Sequence, residues 1–271
     1  MLASSVSLGF ALAAGGVAQL AIAAFGAAAM PETGFRPARR AGRTRREHFL
    51  TTAVAGFRLV RVRPLLLLIL AIFFFAGAST EAFDRLWEAH FLRDVGLPRI
   101  GSLDPVYWFG IFRLGGLGLG LVATTLLAPR LRAAGHVGLT RILVVLTCLQ
   151  LVGLASFALA GSLAVAIAAR YVYTLSRGLA SPVGMTWLNQ NIPDSSVRAT
   201  VISITGQSDA VGQVAGGPGI GAIGSFAGIR AALLAGTALL APALGLYGRA
   251  LRHERPQPEL EELPAPVDAG A

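Results

Sequence analysis

The sequence predicts an all-α fold, a polytopic membrane helix bundle with about seven transmembrane helices. Of its 271 residues, 54% are hydrophobic and only 14% are charged, and the mean hydropathy is +0.65. A soluble domain carries closer to a quarter charged residues. The apolar residues fall in runs of about 20 or more, which is the length that a helix needs to cross a bilayer.

The basic residues that give the net charge of +9 cluster between the apolar runs. That placement is typical of membrane topology, whereas a nucleic-acid-binding surface combines basic and aromatic residues over an extended face. We therefore expect a lipid bilayer as a partner and no nucleic acid.

Seven apolar runs are expected to span the membrane. In chain order they cover residues 6–29, 64 to beyond 80, 105–127, 139–160, 163–188, 197–221 and 229–247. The first run lacks the basic start of a signal peptide and is longer than its apolar core, so we expect it to be retained. The predicted organisation is a first transmembrane helix (1–30), a basic cytoplasmic loop (31–63), a six-helix transmembrane bundle (64–250) and a disordered tail (251–271).

The arginines of the connecting segments predict the orientation. Nine arginines lie at positions 36–63 after the first span, and others follow the third, fifth and seventh spans. The alternate loops hold only Arg93, Arg99 and Arg230. Because cytoplasmic loops are enriched in basic residues, the N-terminus is expected outside and the C-terminus in the cytoplasm, in the inner (plasma) membrane.

Two segments outside the spans have recognisable patterns. Phe49, Ala53, Phe57 and Val60 recur at helical spacing among arginines, which predicts an amphipathic helix over 45–62 on the cytoplasmic membrane surface. The segment after His253 is rich in Pro and Glu and is expected to be disordered.

The second span ends in a cluster of charged residues. Glu81, Arg85 and Glu88 recur at i, i+4 and i+7 and share one helix face, with Asp84 beside them. One interpretation is a salt-bridged outer mouth or a helix that continues into water. The other makes Glu81 or Asp84 a carboxylate that couples protons or contacts substrate.

Three arginines lie within spans, where a charge at the centre costs about 2.5–3.5 kcal/mol unless it faces a protein interior or water. Arg113 lies about two turns into the third span, on the face of Gly116 and Gly120. On the fifth span, Arg170 and Arg177 form a stripe with Tyr173 and Ser181. Arg113 and Arg170 are candidates for contact with substrate, with extension of the side chain toward the membrane interface as the alternative for both. Arg177 is deeper and is predicted to line a cavity.

The sixth span places Thr205, Asp209 and Gln213 at i, i+4 and i+8. Asp209 lies near the middle of the span, and Arg177 on the preceding helix is its expected partner. A carboxylate whose pairing alternates could couple protons to transport, while a permanent pair would only hold two helices together. The glycines around it, Gly206, Gly212, Gly216 and Gly217, indicate close helix packing rather than phosphate binding.

The sequence offers little support for an enzyme, and no cofactor or metal is expected. His48, His90, His136 and His253 are scattered without zinc-ligand spacing, and no Walker-type loop is present. The chain contains no lysine, which excludes a retinal Schiff base. Cys148 lies within an apolar run and is interpreted as a packing residue. A seven-helix receptor remains compatible with the topology.

Several segments resemble transporters of the major facilitator superfamily. The first span followed by MPETGFRPARR resembles the sixth helix of that family entering its central cytoplasmic loop. RGLASPVGMTWLNQNIPDSSVRATVISITGQ is similar to the tenth helix, the turn after it and the start of the eleventh. GQVAGGPGIGAIG resembles the second half of the eleventh. LLAPRLRAAGHVGLTR falls where the family repeats its basic loop signature and keeps Arg130 and Arg132 without the acidic residue.

The resemblance implies secondary active transport of a small solute by alternating access, with proton coupling and efflux as the candidate mode and import left open. The polar residues predicted to line the path favour a solute with a charged or polar group. The resemblance covers one half of the family's twelve helices plus the sixth, so the chain would supply one wall of the substrate path. The chain is then expected to be a fragment, with a missing N-terminal half or a partner chain completing the path. The alternative is a non-transporting membrane protein: a scaffold, a receptor-like module or an inactive remnant.

Overall fold

The computed structural model describes residues 8–29, 54, 58, 60–98, 104–192 and 195–254, and every regular element among them is helical. A π-helical turn (Phe91–Val95) extends the second long helix, and a 3₁₀ turn (Ser195–Val197) precedes the sixth. The long helices of this described part are α1 (Leu8–Ala29), α2 (Pro64–His90), α3 (Val106–Ala133), α4 (His136–Ala158), α5 (Leu163–Gln190), α6 (Arg198–Ala227) and α7 (Ile229–Glu254).

The chain divides into two compact units, of which the first comprises Met1–Thr51 and Leu97–Gly115. It contains α1, which is exposed along nearly all of its described length, and the first turns of α3. The Asp104 carboxylate accepts a hydrogen bond from the Val106 backbone N–H at 2.9 Å and so caps α3. The Trp108 indole donates to the Pro98 carbonyl at 3.0 Å.

The second unit comprises Thr52–Gly96 and Gly116–Ala271 and is a bundle of α2 and α4–α7. α2 packs against α6 and α7, α4 packs against α5 and α7, and α6 packs against α7. The core of this bundle is aliphatic with one large indole, and includes Leu66, Ile69, Leu143 and the fully buried Trp187. The part of α3 in this unit lies beside α5, with Gly116 next to Tyr171.

Glycines bring α2 and α6 into backbone contact. A Cβ atom at Gly212 would collide with the Phe74 carbonyl oxygen, and one at Gly216 would lie 2.6 Å from the Ala78 carbonyl oxygen. The Ser208 hydroxyl donates to the Leu70 carbonyl at 2.9 Å across the same interface. The interpretation of these two glycines as close-packing positions is confirmed.

The predicted helices are confirmed, with ends that differ by up to several residues. α2 continues to His90, α6 runs through Pro218 to Ala227, and α7 continues to Glu254, so the first residues of the predicted tail are helical. Residues 255–271 lie outside the described part of the chain. So does most of the predicted amphipathic segment; its described positions, 54, 58 and 60–62, are helical, and Val60 is buried.

Five of the described helices are long and apolar enough to cross a membrane, which fits a membrane-embedded protein. The spans are Leu12–Ala29, Pro64–Val95, Val106–Pro129, Val137–Ala158 and Ile229–His253. α5 and α6 have the length but carry arginines, an aspartate and many glycine and hydroxyl residues, which lower their hydropathy. The count of seven spans and the orientation of the termini therefore stay predictions.

Candidate functional site

A cavity of about 320 Å³, lined by both apolar and polar side chains, lies within the second unit, among α2, α4, α5, α6 and α7. It forms where α5 and α6 diverge, since these two helices touch only sparsely. Small residues keep the space open, with Gly184 on α5 and Gly206 on α6. The polar side chains that line it are Thr80, Thr147, Gln150, Arg177, Ser181, Thr205, Asp209, Gln213 and Tyr247.

The strongest polar contact at this cavity joins α5 to α2. The two terminal nitrogens of Arg177 donate to the two carboxylate oxygens of Asp84, at 2.6 and 2.9 Å. The Tyr173 hydroxyl, buried one turn away on α5, is also hydrogen-bonded to Arg177. The side chains of the ion pair remain 38% and 50% exposed, so the pair is not sealed inside the bundle.

Asp209 is the second carboxylate near Arg177. Its Oδ2 accepts a hydrogen bond from the Gln213 side-chain amide at 2.8 Å, one turn along α6. It also interacts with Arg177 through space. The prediction that Arg177 pairs directly with Asp209 is wrong, because the guanidinium bonds Asp84 instead. Asp209, Gln213 and Arg177 nevertheless line one cavity, as the sequence predicted for Arg177.

The charged cluster at the end of α2 takes part in two ion pairs, one within the helix and one with α5. Arg85 donates to Glu81 on the same helix, which agrees with a salt-bridged face. Glu81 also lies next to Gly217 on α6, where an added Cβ atom would come within 3.3 Å of the Glu81 carboxylate. Asp84 points to α5 and Arg177 instead. Of this cluster, Asp84 is the residue connected to the cavity, through its pair with Arg177.

The remaining candidate arginines lie elsewhere. Arg170 is buried, with its guanidinium 4.5 Å from the Trp87 ring centroid and 5.4 Å from that of Tyr171. The Arg170 side chain therefore makes cation–π contacts inside the protein and does not extend to the membrane interface, which was the alternative expectation. Arg113 is exposed and belongs to the first unit. Neither residue lines the cavity.

Four neutral polar lining residues were not predicted from the sequence: Thr80, Thr147, Gln150 and Tyr247. Thr147 and Gln150 lie three residues apart on α4, and Tyr247 on α7 is hydrogen-bonded to Thr147. Thr147 and Gln150 are buried at 3% and 8% exposure, so this wall offers hydrogen bonds inside the bundle. The sequence did offer a signal for two of them, because Thr147 and Gln150 are polar residues on one face of an otherwise apolar helix.

His90, for which the sequence indicated no role, is fully buried at the end of α2. Its Nδ1 lies 2.8 Å from the Asp94 carboxylate and its Nε2 lies 2.8 Å from the Phe157 carbonyl oxygen. The imidazole thus connects α2 to the end of α4. Within the described ranges, no cluster of His, Cys, Asp and Glu has the geometry to hold a metal ion.

Comparison with known proteins adds no assignment: no family model matches the chain, and no curated protein matches it. The likeness to the major facilitator superfamily therefore depends on the sequence segments and their order.

Proposed function

We propose that this protein is a secondary active transporter of a small solute, with the substrate held in the cavity between α5 and α6. The observation that carries the proposal is that charged side chains line a cavity within a bundle of apolar helices. Arg177 and Asp209 both lie near the middle of their helices and line the cavity. Charges at that depth are expensive in a membrane and mark solute or ion pathways.

The cavity volume suits a small solute. Ligand sites commonly occupy about 300–1,000 Å³ and combine apolar walls with a few convergent polar groups. This cavity is at the small end of that range, and its apolar wall includes Ile72, Phe73 and Leu240. The arrangement matches a binding site for one compact organic molecule better than an open pore.

Proton coupling is proposed for Asp209. Its carboxylate accepts a bond from the neutral Gln213 amide, while Asp84 occupies the Arg177 guanidinium. A rearrangement that brought Arg177 to Asp209 would favour the ionised form of the Asp209 carboxyl group. Asp209 could then bind a proton in one conformation and release it in the other. No nucleotide-binding loop is seen in the sequence, so an ion gradient is the proposed energy source.

A second set of helices is proposed to complete the substrate path. The Arg177–Asp84 pair is 38% and 50% exposed, and Ser181 and Thr186 on the same helix are exposed too. Polar groups at membrane depth face protein or water rather than lipid. The superfamily that the sequence resembles places substrate between two helical halves that move about a central site. An N-terminal half or a separate partner chain would supply the other wall.

The proposal is tested by flux in proteoliposomes that contain the purified protein. An imposed proton gradient should drive accumulation of one or more members of a panel of small charged and neutral solutes, detected by mass spectrometry. Asp209→Asn should abolish gradient-driven accumulation, and Arg177→Ala should alter the affinity for the solute, because it removes one charge from the lining and leaves Asp84 without its partner. Asp104→Asn makes the same charge change at a helix cap outside the cavity and should transport normally.

The contrary result is a folded protein that accumulates no solute under a gradient. It would favour the alternative, a scaffold or receptor-like membrane protein in which the Arg177–Asp84 ion pair only holds α5 against α2. The flux assay should include protein isolated from native membranes with a C-terminal tag, because a partner chain would then be retained. A tagged product markedly larger than 28.1 kDa would show that a longer protein carries these helices.

A further inference from the structure

We infer that the cavity binds a small organic cation, with the positive group at Asp209 and an apolar body against the apolar part of the lining. This inference rests on the proposed function, because it names the class of solute that the same cavity takes.

The charges around the cavity do not cancel. Asp84 uses both of its carboxylate oxygens in bonds to Arg177, so these two groups neutralise each other. The hydrogen bond that Asp209 accepts comes from Gln213, which is neutral. One guanidinium therefore faces two carboxylates, and the formal charge left at the cavity is the negative charge of Asp209.

The nearby ionisable groups leave this balance unchanged. On α2, Glu81 is paired with Arg85. On α5, the Tyr173 hydroxyl is bonded to Arg177 and carries no charge as a phenol. On α7, the Tyr247 hydroxyl is bonded to Thr147. Within the described bundle, the groups next to the cavity therefore supply no second cation for Asp209.

An anionic solute would meet the opposite situation. To receive it, Arg177 would have to leave Asp84, and the Asp84 carboxylate would then remain near the solute without its counter-ion. Like charges in a partly desolvated site repel strongly, and removing one partner of a pair leaves the other uncompensated. The geometry thus discriminates against anions as well as favouring cations.

The rest of the lining suits the apolar body of such a cation. Ile72 and Leu240 provide aliphatic surface, and the Met185 thioether adapts to irregular shapes. The Phe73 ring adds aromatic surface to the same lining. Thr147 and Gln150 add hydrogen bonds at the α4 side.

Three probes that share a benzyl group and differ in charge test the inference: benzyltrimethylammonium, benzyl alcohol and phenylacetate. The first carries a permanent charge, so its state does not change with pH. Calorimetric titration into the purified full chain should show benzyltrimethylammonium binding about tenfold more tightly than the other two, or better. Asp209→Asn should weaken cation binding by about tenfold while benzyl alcohol binding is unchanged. Asp104→Asn should bind all three probes as the unmodified protein does.

Equal affinity for the three probes, preference for phenylacetate, binding of none of them, or unaltered cation binding by Asp209→Asn would each overturn the inference. If Asp209→Asn does not fold, the comparison of the three probes on the unmodified protein decides the matter alone. The experiments distinguish failure of this inference from failure of the proposed transport function. Cation binding without transport of any solute would overturn that function and leave the cation site, whereas transport of other solutes without cation binding would overturn the site only.

Discussion

Both terminal nitrogens of Arg177 bond the two carboxylate oxygens of Asp84, at 2.6 and 2.9 Å, across 93 positions of sequence. A bidentate pair of this kind fixes the orientation of both side chains as well as their distance. Here it directs Arg177 toward α2. The Asp209 carboxylate therefore accepts a hydrogen bond from Gln213 and faces the cavity. The charge of the cavity thus depends on a residue that does not line it.

The Arg177–Asp84 pair should show energetic coupling in a double-mutant cycle. Arg177→Gln and Asp84→Asn, alone and together, should reveal a coupling of about 1 kcal/mol in the free energy of unfolding, measured in mixed micelles. The expected value is modest because both side chains are more than a third exposed. A coupling indistinguishable from zero would mean that the pair does not stabilise the folded protein.

The same variants should also move the charge preference of the cavity. Asp84→Asn frees the Arg177 guanidinium from its partner, so the affinity for benzyltrimethylammonium should fall and that for phenylacetate should rise. Calorimetric titration measures both. Asp104→Asn serves as the control of equal charge change, because Asn caps a helix about as well as Asp. If Asp84→Asn and Asp104→Asn changed the two affinities equally, the Asp84 carboxylate would not control the charge of the cavity.

Gly212 should be intolerant of any side chain. Gly212→Ala places a Cβ against the Phe74 backbone on α2, so the helices must separate, at a cost of about 1–3 kcal/mol in the free energy of unfolding. Gly219→Ala on the same helix meets no atom within 4 Å and should be neutral, or more stable by up to about 1 kcal/mol. Thermal unfolding in detergent compares the two. Equal melting temperatures would contradict the close approach of α2 and α6.

His90 should contribute strongly to stability. His90→Ala removes a buried ring whose two nitrogens bond Asp94 and the Phe157 carbonyl, and leaves a cavity between α2 and α4. The expected loss is about 2–4 kcal/mol in the free energy of unfolding. His253→Ala, at an exposed position near the end of α7, should change stability by less than about 0.5 kcal/mol. A small effect at both positions would show that the His90 contacts are not formed.

The helices were predictable because run length and hydropathy identify apolar segments without knowledge of their neighbours. Their ends were not, since α2 continues through Glu81 and Arg85 to His90 once these charges pair along the helix. The partner of Arg177 was not predictable either. Consecutive helices were assumed to be neighbours, but α5 and α6 diverge, and α2 packs against α6 and brings Asp84 to α5.

The candidate site was partly predictable. Arg177, Asp209 and Gln213 were identified because charged and amide groups at mid-span need a polar environment. Thr147 and Tyr247 were missed because hydroxyl groups are tolerated almost anywhere in a membrane helix and give no comparable signal. Gln150, an amide within an apolar run, carries the same signal as Gln213 but was missed. The contact of Arg170 with Trp87 depends on the distance between two helices, which spacing along the chain does not encode.

The central claim, a water-accessible cavity between α5 and α6, is tested most directly by cysteine labelling in proteoliposomes. Ser181 lines the cavity, whereas the native Cys148 does not. Cys148 is exposed on α4 rather than packed in the core as the sequence predicted, and it lies within a candidate membrane span, where lipid should shield it from a charged reagent. A charged, membrane-impermeant thiol reagent should label Ser181→Cys in a Cys148→Ser background and should leave the unmodified protein, with Cys148 alone, unlabelled. Labelling of Cys148 but not of position 181, or of neither, would contradict the account.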